Sequence, residues 1–150
     1  MCAVGCDFTT IQAAIDNADT PAGAIIEVAD PVHTEAGIVV NRDVPIQGQG
    51  VDKTAVQAHA TLSGSPDRVF LIAEGATVSI TDLIIRHGNP HYDEEEEEEE
   101  DWRCGGGIAD KGTLSLENCI VSHNTANYTG AQARSWFEQN GALGYTWARR

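Results

Sequence analysis

"VSITDLIIRH", Val78 to His87, and "LSLENCIVSH", Leu114 to His123, match position for position, and the architecture follows from that match. Val78 aligns with Leu114, Ser79 with Ser115, Ile80 with Leu116, Asp82 with Asn118, Leu83 with Cys119, Ile85 with Val121 and His87 with His123. In both copies two strand-length pieces flank an Asp or Asn, whose short side chain bonds nearby backbone and tolerates left-handed conformations. Short strands of this kind cannot bury their apolar faces alone, but stacked as rungs they can. Stacking points Val78, Ile80, Leu83 and Ile85 inward against Leu114, Leu116, Cys119 and Val121. It turns Ser79, Thr81, Ser115 and Glu117 to water.

The same texture extends outward from the pair. Short apolar runs punctuated by Gly, Asn, Asp and Pro occupy residues 24–28, 37–40, 44–48, 55–60, 69–73, 76–80, 82–88, 112–117 and 119–124, each long enough for one small strand. An antiparallel sandwich is the competing reading, but the Asn-Gly and Asp-Gly hairpin turns it needs are missing between most runs. Ahead of the runs, "DFTTIQAAIDNA" reads as one short amphipathic helix. Asp7 or Thr9 is its expected N-cap, and Phe8, Ile11, Ala14, Ile15 and Ala18 recur at helical spacing. Pro45 lacks a backbone donor and belongs where its strand has no neighbour, or at a bend.

Composition narrows the classes further. A chain of 150 residues is the size of one domain, and 15 glycines with 6% aromatic residues suit strands and tight turns better than a helical bundle. The formal charge is −14, and the nine consecutive acids Asp93 to Asp101 account for most of it, leaving −5 elsewhere. With no Lys/Arg stripe to offset this, nucleic acid is excluded as a partner. No apolar stretch approaches the length of a membrane span, so membrane insertion is not expected, and the first residues carry no signal-peptide pattern. The four cysteines, Cys2, Cys6, Cys104 and Cys119, are too sparse for a disulfide framework. A local Cys2–Cys6 disulfide and free thiols both remain open, and the paired spacings of a zinc site are missing.

Taken in order, "CDFTTIQAAIDNA", "AIIEVAD…HTEAGIVVNRDVPIQGQGVDKTAV", "VFLIAEGATVSITDLIIRHGN" and "GGGIADKGTLSLENCIVSHNTA" resemble the right-handed parallel β-helix proteins of the pectin-lyase-like superfamily. The nearer likeness is to bacterial secreted or surface repeat proteins with recurring GGGI…GTLTL…N rungs. The resemblance covers roughly residues 6 to 126. It implies an all-β fold, a short right-handed parallel β-helix (solenoid) with an N-terminal amphipathic capping helix over residues 8 to 18. It also implies an extracellular or cell-surface location. On this reading residues 1–126 form the β-helix with its cap, and an acidic loop, 91–103, is inserted between rungs. Residues 127–150 form a C-terminal tail bearing Trp136, Phe137, Leu143, Tyr145 and Trp147, which either caps the open end or mediates homo-oligomer formation.

The acidic run repels itself over distances well inside the ~8 Å Debye length and reads first as a solvated loop. Its functional reading is weak Ca2+ binding by Asp93, Glu94, Glu96, Glu98, Glu100 and Asp101, or a basic protein partner. Calcium takes about six to eight oxygens, and an unconstrained strip holds them loosely, with affinity on the order of millimolar. Tyr92 and Trp102 bracket the run as candidate rim aromatics for a sugar. His87 and His123 fall at one repeat position and are the candidate ligand-binding pair, against the ordinary reading of a structural ladder. Arg86 is expected in a surface ion pair. The resemblance alone does not decide activity, because one solenoid hosts lyases, hydrolases, adhesins and structural proteins. The clustered aspartates and arginine of a pectate lyase, the motifs of a polygalacturonase, the G-x-S-x-G elbow and a phosphate loop are all missing. Asp82 with Asp67 or Glu74 is the only carboxylate pairing offered for glycoside hydrolysis. The expected function is therefore non-catalytic: binding or display at a surface, with a polysaccharide as the candidate ligand and no cofactor. The alternative is a polysaccharide lyase or glycoside hydrolase relative acting on acidic polysaccharide.

Overall fold

The computed structural model describes residues 7–90 and 105–126. One short helix, α1 (Ile11–Asp16), precedes eleven strands: β1 (Ile26–Glu27), β2 (Val32–Thr34), β3 (Ile38–Val40), β4 (Pro45–Gln47), β5 (Ala55–Gln57), β6 (Phe70–Ile72), β7 (Thr77–Thr81), β8 (Ile84–Arg86), β9 (Ile108–Asp110), β10 (Thr113–Glu117) and β11 (Ile120–Ser122). They form three sheets, ordered β1-β4-β7-β10, β11-β8-β5-β2 and β3-β6-β9. Every strand pairing among the described residues is parallel. The chain thus visits the three sheets in the same order cycle after cycle, and the antiparallel sandwich is excluded for these segments.

The internal repeat fixes the register. Leu114 pairs with Val78 and Leu116 with Ile80, while Val121 pairs with Ile85. The column continues backward through Ile46 to Ile26. Side chains alternate faces along a strand, so Val78 and Ile80 are buried while Thr77 is exposed and Ser79 and Thr81 are partly covered. All three sheets send side chains into one core, joined by Ile11, Ala14 and Ile15 of the helix. At ~25 cal/mol per Å2 of buried apolar surface, these columns are the main favourable term holding the strands together.

The turns explain the repeat's polar residues. Asp82, His87, Asn118 and His123 all have positive φ, from 49° to 61°. Only Asn, Asp, His and Gly enter that region at modest cost. The equivalent residues therefore hold the same bends, and Asn118 Nδ2 donates to Asp82 Oδ1 across 3.3 Å. The glycines of "GGGI" serve close approach of backbone: a Cβ on Gly106 would run into the Thr125 carbonyl, and one on Gly88 into the Gly106 carbonyl.

Several sequence expectations need correction. The helix covers only six residues rather than 8 to 18, and its N-cap is Thr10, whose hydroxyl accepts from Ala13 N–H at 3.1 Å, in place of Asp7 or Thr9. Ala18 is exposed. The helix stops because Asn17 turns extended and its side chain accepts from Asp19 N–H, a local bond that competes with helix continuation. Two strands, β2 and β9, lie outside the apolar runs, because "VHT" and "IAD" carry too few apolar residues to signal a strand. Among the described residues Arg86 makes a hydrogen bond and not the expected ion pair, its Nε donating to Gln57 Oε1 at 3.0 Å. Pro45 is the first residue of β4: it has no partner on the β1 side, where pairing begins at Ile46, as expected, but on the other side it is in register with Ser79 of β7.

Candidate functional site

Parallel pairing brings His87 and His123 together. Their rings meet edge to face with centroids 6.4 Å apart, and His87 N–H donates to the His123 carbonyl at 2.9 Å. Each ring also has one other polar contact. His87 Nδ1 lies 3.0 Å from the His59 carbonyl oxygen, a bond that requires Nδ1 to carry the proton. His123 Nδ1 lies 3.1 Å from Ser122 Oγ. No cluster of three or more His, Cys, Asp or Glu side chains able to hold a metal occurs among the described residues. Among the described residues the two imidazoles have no third ligand or orienting carboxylate of the kind a metal or acid–base constellation uses. Their left-handed backbone gives the pair a structural task in the turn.

The other sequence candidates divide into two groups. Tyr92, Asp93, Glu94, Glu96, Glu98, Glu100, Asp101 and Trp102, together with Cys2, Cys6 and the 127–150 tail, lie outside the described residues. The carboxylates offered for hydrolysis are engaged separately: Asp67 accepts from the Arg68 backbone N–H at 2.7 Å and Asp82 from Asn118, while Glu74 stands exposed in the turn before β7. Cys119 is a free thiol whose sulfur contacts the Ile80 and Glu117 carbonyls at 3.3 Å. Burial pushes its pKa up, partly offset by backbone hydrogen bonds, so it is a poor nucleophile at neutral pH.

What the candidate list missed is a shallow groove on the outer face of the first sheet, with a volume of about 290 Å3. Pro45, Ser79 and Ser115 form one register column in it, and Thr77 and Thr113 the next. Strands lie about 4.8 Å apart, so these hydroxyls make a short two-column lattice. Asp43 is the single carboxylate among the described lining residues, and its Oδ1 accepts from Thr77 N–H at 2.7 Å. The sequence signal was present in the alternating "TVSIT" and "TLSLE", but alternation only assigned those residues to water.

A second cluster was also missed. His33 is 5% exposed and occupies the inward column that holds Val56, Ile85 and Val121 in later strands. Its Nε2 meets Glu35 Oε2 at 2.7 Å, and its Nδ1 lies 3.8 Å from Asp30. The Glu35 carboxylate also accepts from the Ile11 and Gln12 amides at 2.7 and 3.0 Å, the first turn of α1. Burial alone would raise the pKa of Glu35; the hydrogen bond from His33, the two amides and the charge of His33 outweigh it and hold the carboxyl below its usual range. At the other end of the helix the Arg42 guanidinium donates to the Ile15, Asn17 and Thr20 carbonyls. Both sets of unsatisfied helix-end groups are therefore met by side chains of the opposite sign to the helix dipole.

No protein-family model, curated protein or solved structure matches this chain.

Proposed function

We propose that the chain is a right-handed parallel β-helix of the pectin-lyase-like kind, from a secreted or cell-surface protein, and that it binds a neutral carbohydrate on the outer face of its first sheet without turning it over. Three parallel sheets visited in fixed order support the coil, and parallel strand crossovers are right-handed in almost all proteins. The observation that carries the binding reading is the register that lines up Thr77, Ser79, Thr113 and Ser115 beside Pro45 along a shallow, mostly apolar groove. Hydroxyls on a rigid sheet can donate to and accept from sugar hydroxyls. Glycoside hydrolysis needs two carboxylates at a fixed separation, and the described lining offers one, already occupied by a backbone amide. A neutral ligand fits better than a polyuronate because the chain is net negative.

A glycan array followed by calorimetry on the hits tests this, with Ser79→Trp as the variant that fills the groove. The expected result is binding to uncharged glycans, weakened at least about tenfold by Ser79→Trp with an unchanged circular dichroism spectrum, and no release of reducing ends or unsaturated product. Silence on the array, equal binding by the variant, or product formation would overturn it.

A further inference from the structure

The two ends of the strand stack are finished differently. At the first end the Gln12 side chain pairs with the free edge of β3, donating to the Val39 carbonyl and accepting from Val39 N–H at 2.7 Å. Ile11, Ala14 and Ile15 cover the core there. At the last end β10 pairs with β7 and, among the described residues, with no strand beyond it. Inward positions come out into solvent: Val121 is 47% exposed where Ile85, its register partner, is 0%. Leu114 and Leu116 are half-buried where Val78 and Ile80 are buried.

The groups on the β10 edge are identifiable. Thr113 N–H donates to the Ala76 carbonyl, and the Glu117 carbonyl accepts from Asp82 N–H. Residues 113, 115 and 117 therefore turn their backbone groups toward β7, and alternation sends those of Leu114 and Leu116 to the open edge. An apolar strand with an unpaired edge is a template for another strand.

The sequence of β10 also says which strand. "TLSLE" has the same apolar alternation read in either direction about Ser115. A second copy laid antiparallel and centred there places Leu114 against Leu116 of that copy, both sharing the apolar face, and Thr113 against its Glu117. A parallel partner in register would instead set Glu117 beside Glu117, and like charges directly opposite are destabilising. Head-to-tail addition would have to displace α1. We infer that the edge of β10, which no other described strand covers, is a self-association surface, at which two copies of this chain join about a two-fold axis through antiparallel pairing of Leu114 and Leu116, with Ser115 facing Ser115. Such an isologous contact closes on itself and gives a dimer, not a fibre. It rests on the pairing of β10 with β7 and stands whether or not the groove binds sugar.

The register makes the test specific. Ser115 of the two copies would form a pair without mutual hydrogen bonds, with Cα atoms about 4.5 Å apart, inside the range a disulfide spans. The two Thr113 residues would be about 13 Å apart, four strand steps. The full chain, with Cys2, Cys6 and Cys104 replaced by Ser, is compared with the same chain carrying Ser115→Cys or Thr113→Cys. Light scattering across a concentration series should give twice the monomer mass for the parent, and mild oxidation should cross-link Ser115→Cys at least about tenfold faster than Thr113→Cys. A parent that stays monomeric at every concentration overturns the inference and assigns the edge to another segment of the chain or another protein. Equal cross-linking of the two variants, or a dimer that Ser115→Cys does not trap, overturns it as well.

Discussion

Replacing Glu35 by Gln tests how the helix is held to the strands. The carboxylate accepts from Ile11 N–H at 2.7 Å, Gln12 N–H at 3.0 Å and His33 Nε2 at 2.7 Å. The amide side chain of Glu35→Gln would keep one acceptor oxygen and present an NH2 group to a first-turn amide, leaving that donor unmet in a half-buried site, which costs about 1–3 kcal/mol. Losing the negative charge at the helix start removes about 0.3–1 kcal/mol more. The sum is about 1.3–4 kcal/mol, roughly a tenfold to several-hundredfold shift in the unfolding equilibrium. The pH dependence follows from the same contacts. The folded-state pKa of Glu35 is depressed, so its contribution is fully present above the ordinary carboxylate pKa of about 4.3 and is lost as pH falls through the folded value. Urea unfolding followed by circular dichroism should show Glu35→Gln weaker than the parent at pH 7, with the gap closing below about pH 4. A variant as stable as the parent at pH 7, or a gap that persists unchanged into acid, would refute the clamp.

Two further outcomes are expected. Asp82→Ala and Asp82→Gly lose the same hydrogen bond from Asn118, but only Ala resists the positive φ; Asp82→Ala should be the less stable by about 1 kcal/mol, and equal unfolding midpoints would contradict the left-handed turn. Cys119, in a background with the other three cysteines replaced by Ser, should react with a thiol reagent at pH 8 several-fold more slowly in the folded chain than in urea, because burial raises its pKa. Equal rates would show that the thiol is not shielded by the Ile80 and Glu117 carbonyls.

Most strands, their spacing and the register of the repeated pair were legible in the linear chain. The match of Val78–His87 to Leu114–His123 foretold the pairing of Ile80 with Leu116 because a period of two assigns each side chain to one face, and a slip by one residue would bury Ser79 and expose Ile80. It also marked the turns, since Asp82 and Asn118 are residue types that accept positive φ. Where polar residues end up was settled by packing in three dimensions. The sequence pattern assigned no place to His33 and Glu35; the fold turns His33 into the core column and brings Glu35 onto the amides of a helix more than twenty residues earlier in the chain. The groove follows the same logic: Pro45, Ser79 and Ser115 are far apart along the chain and become neighbours only through parallel pairing. Local pattern reports which face a residue takes. Which residues meet on that face depends on contacts between distant cycles, and these the linear pattern carries only where it repeats itself.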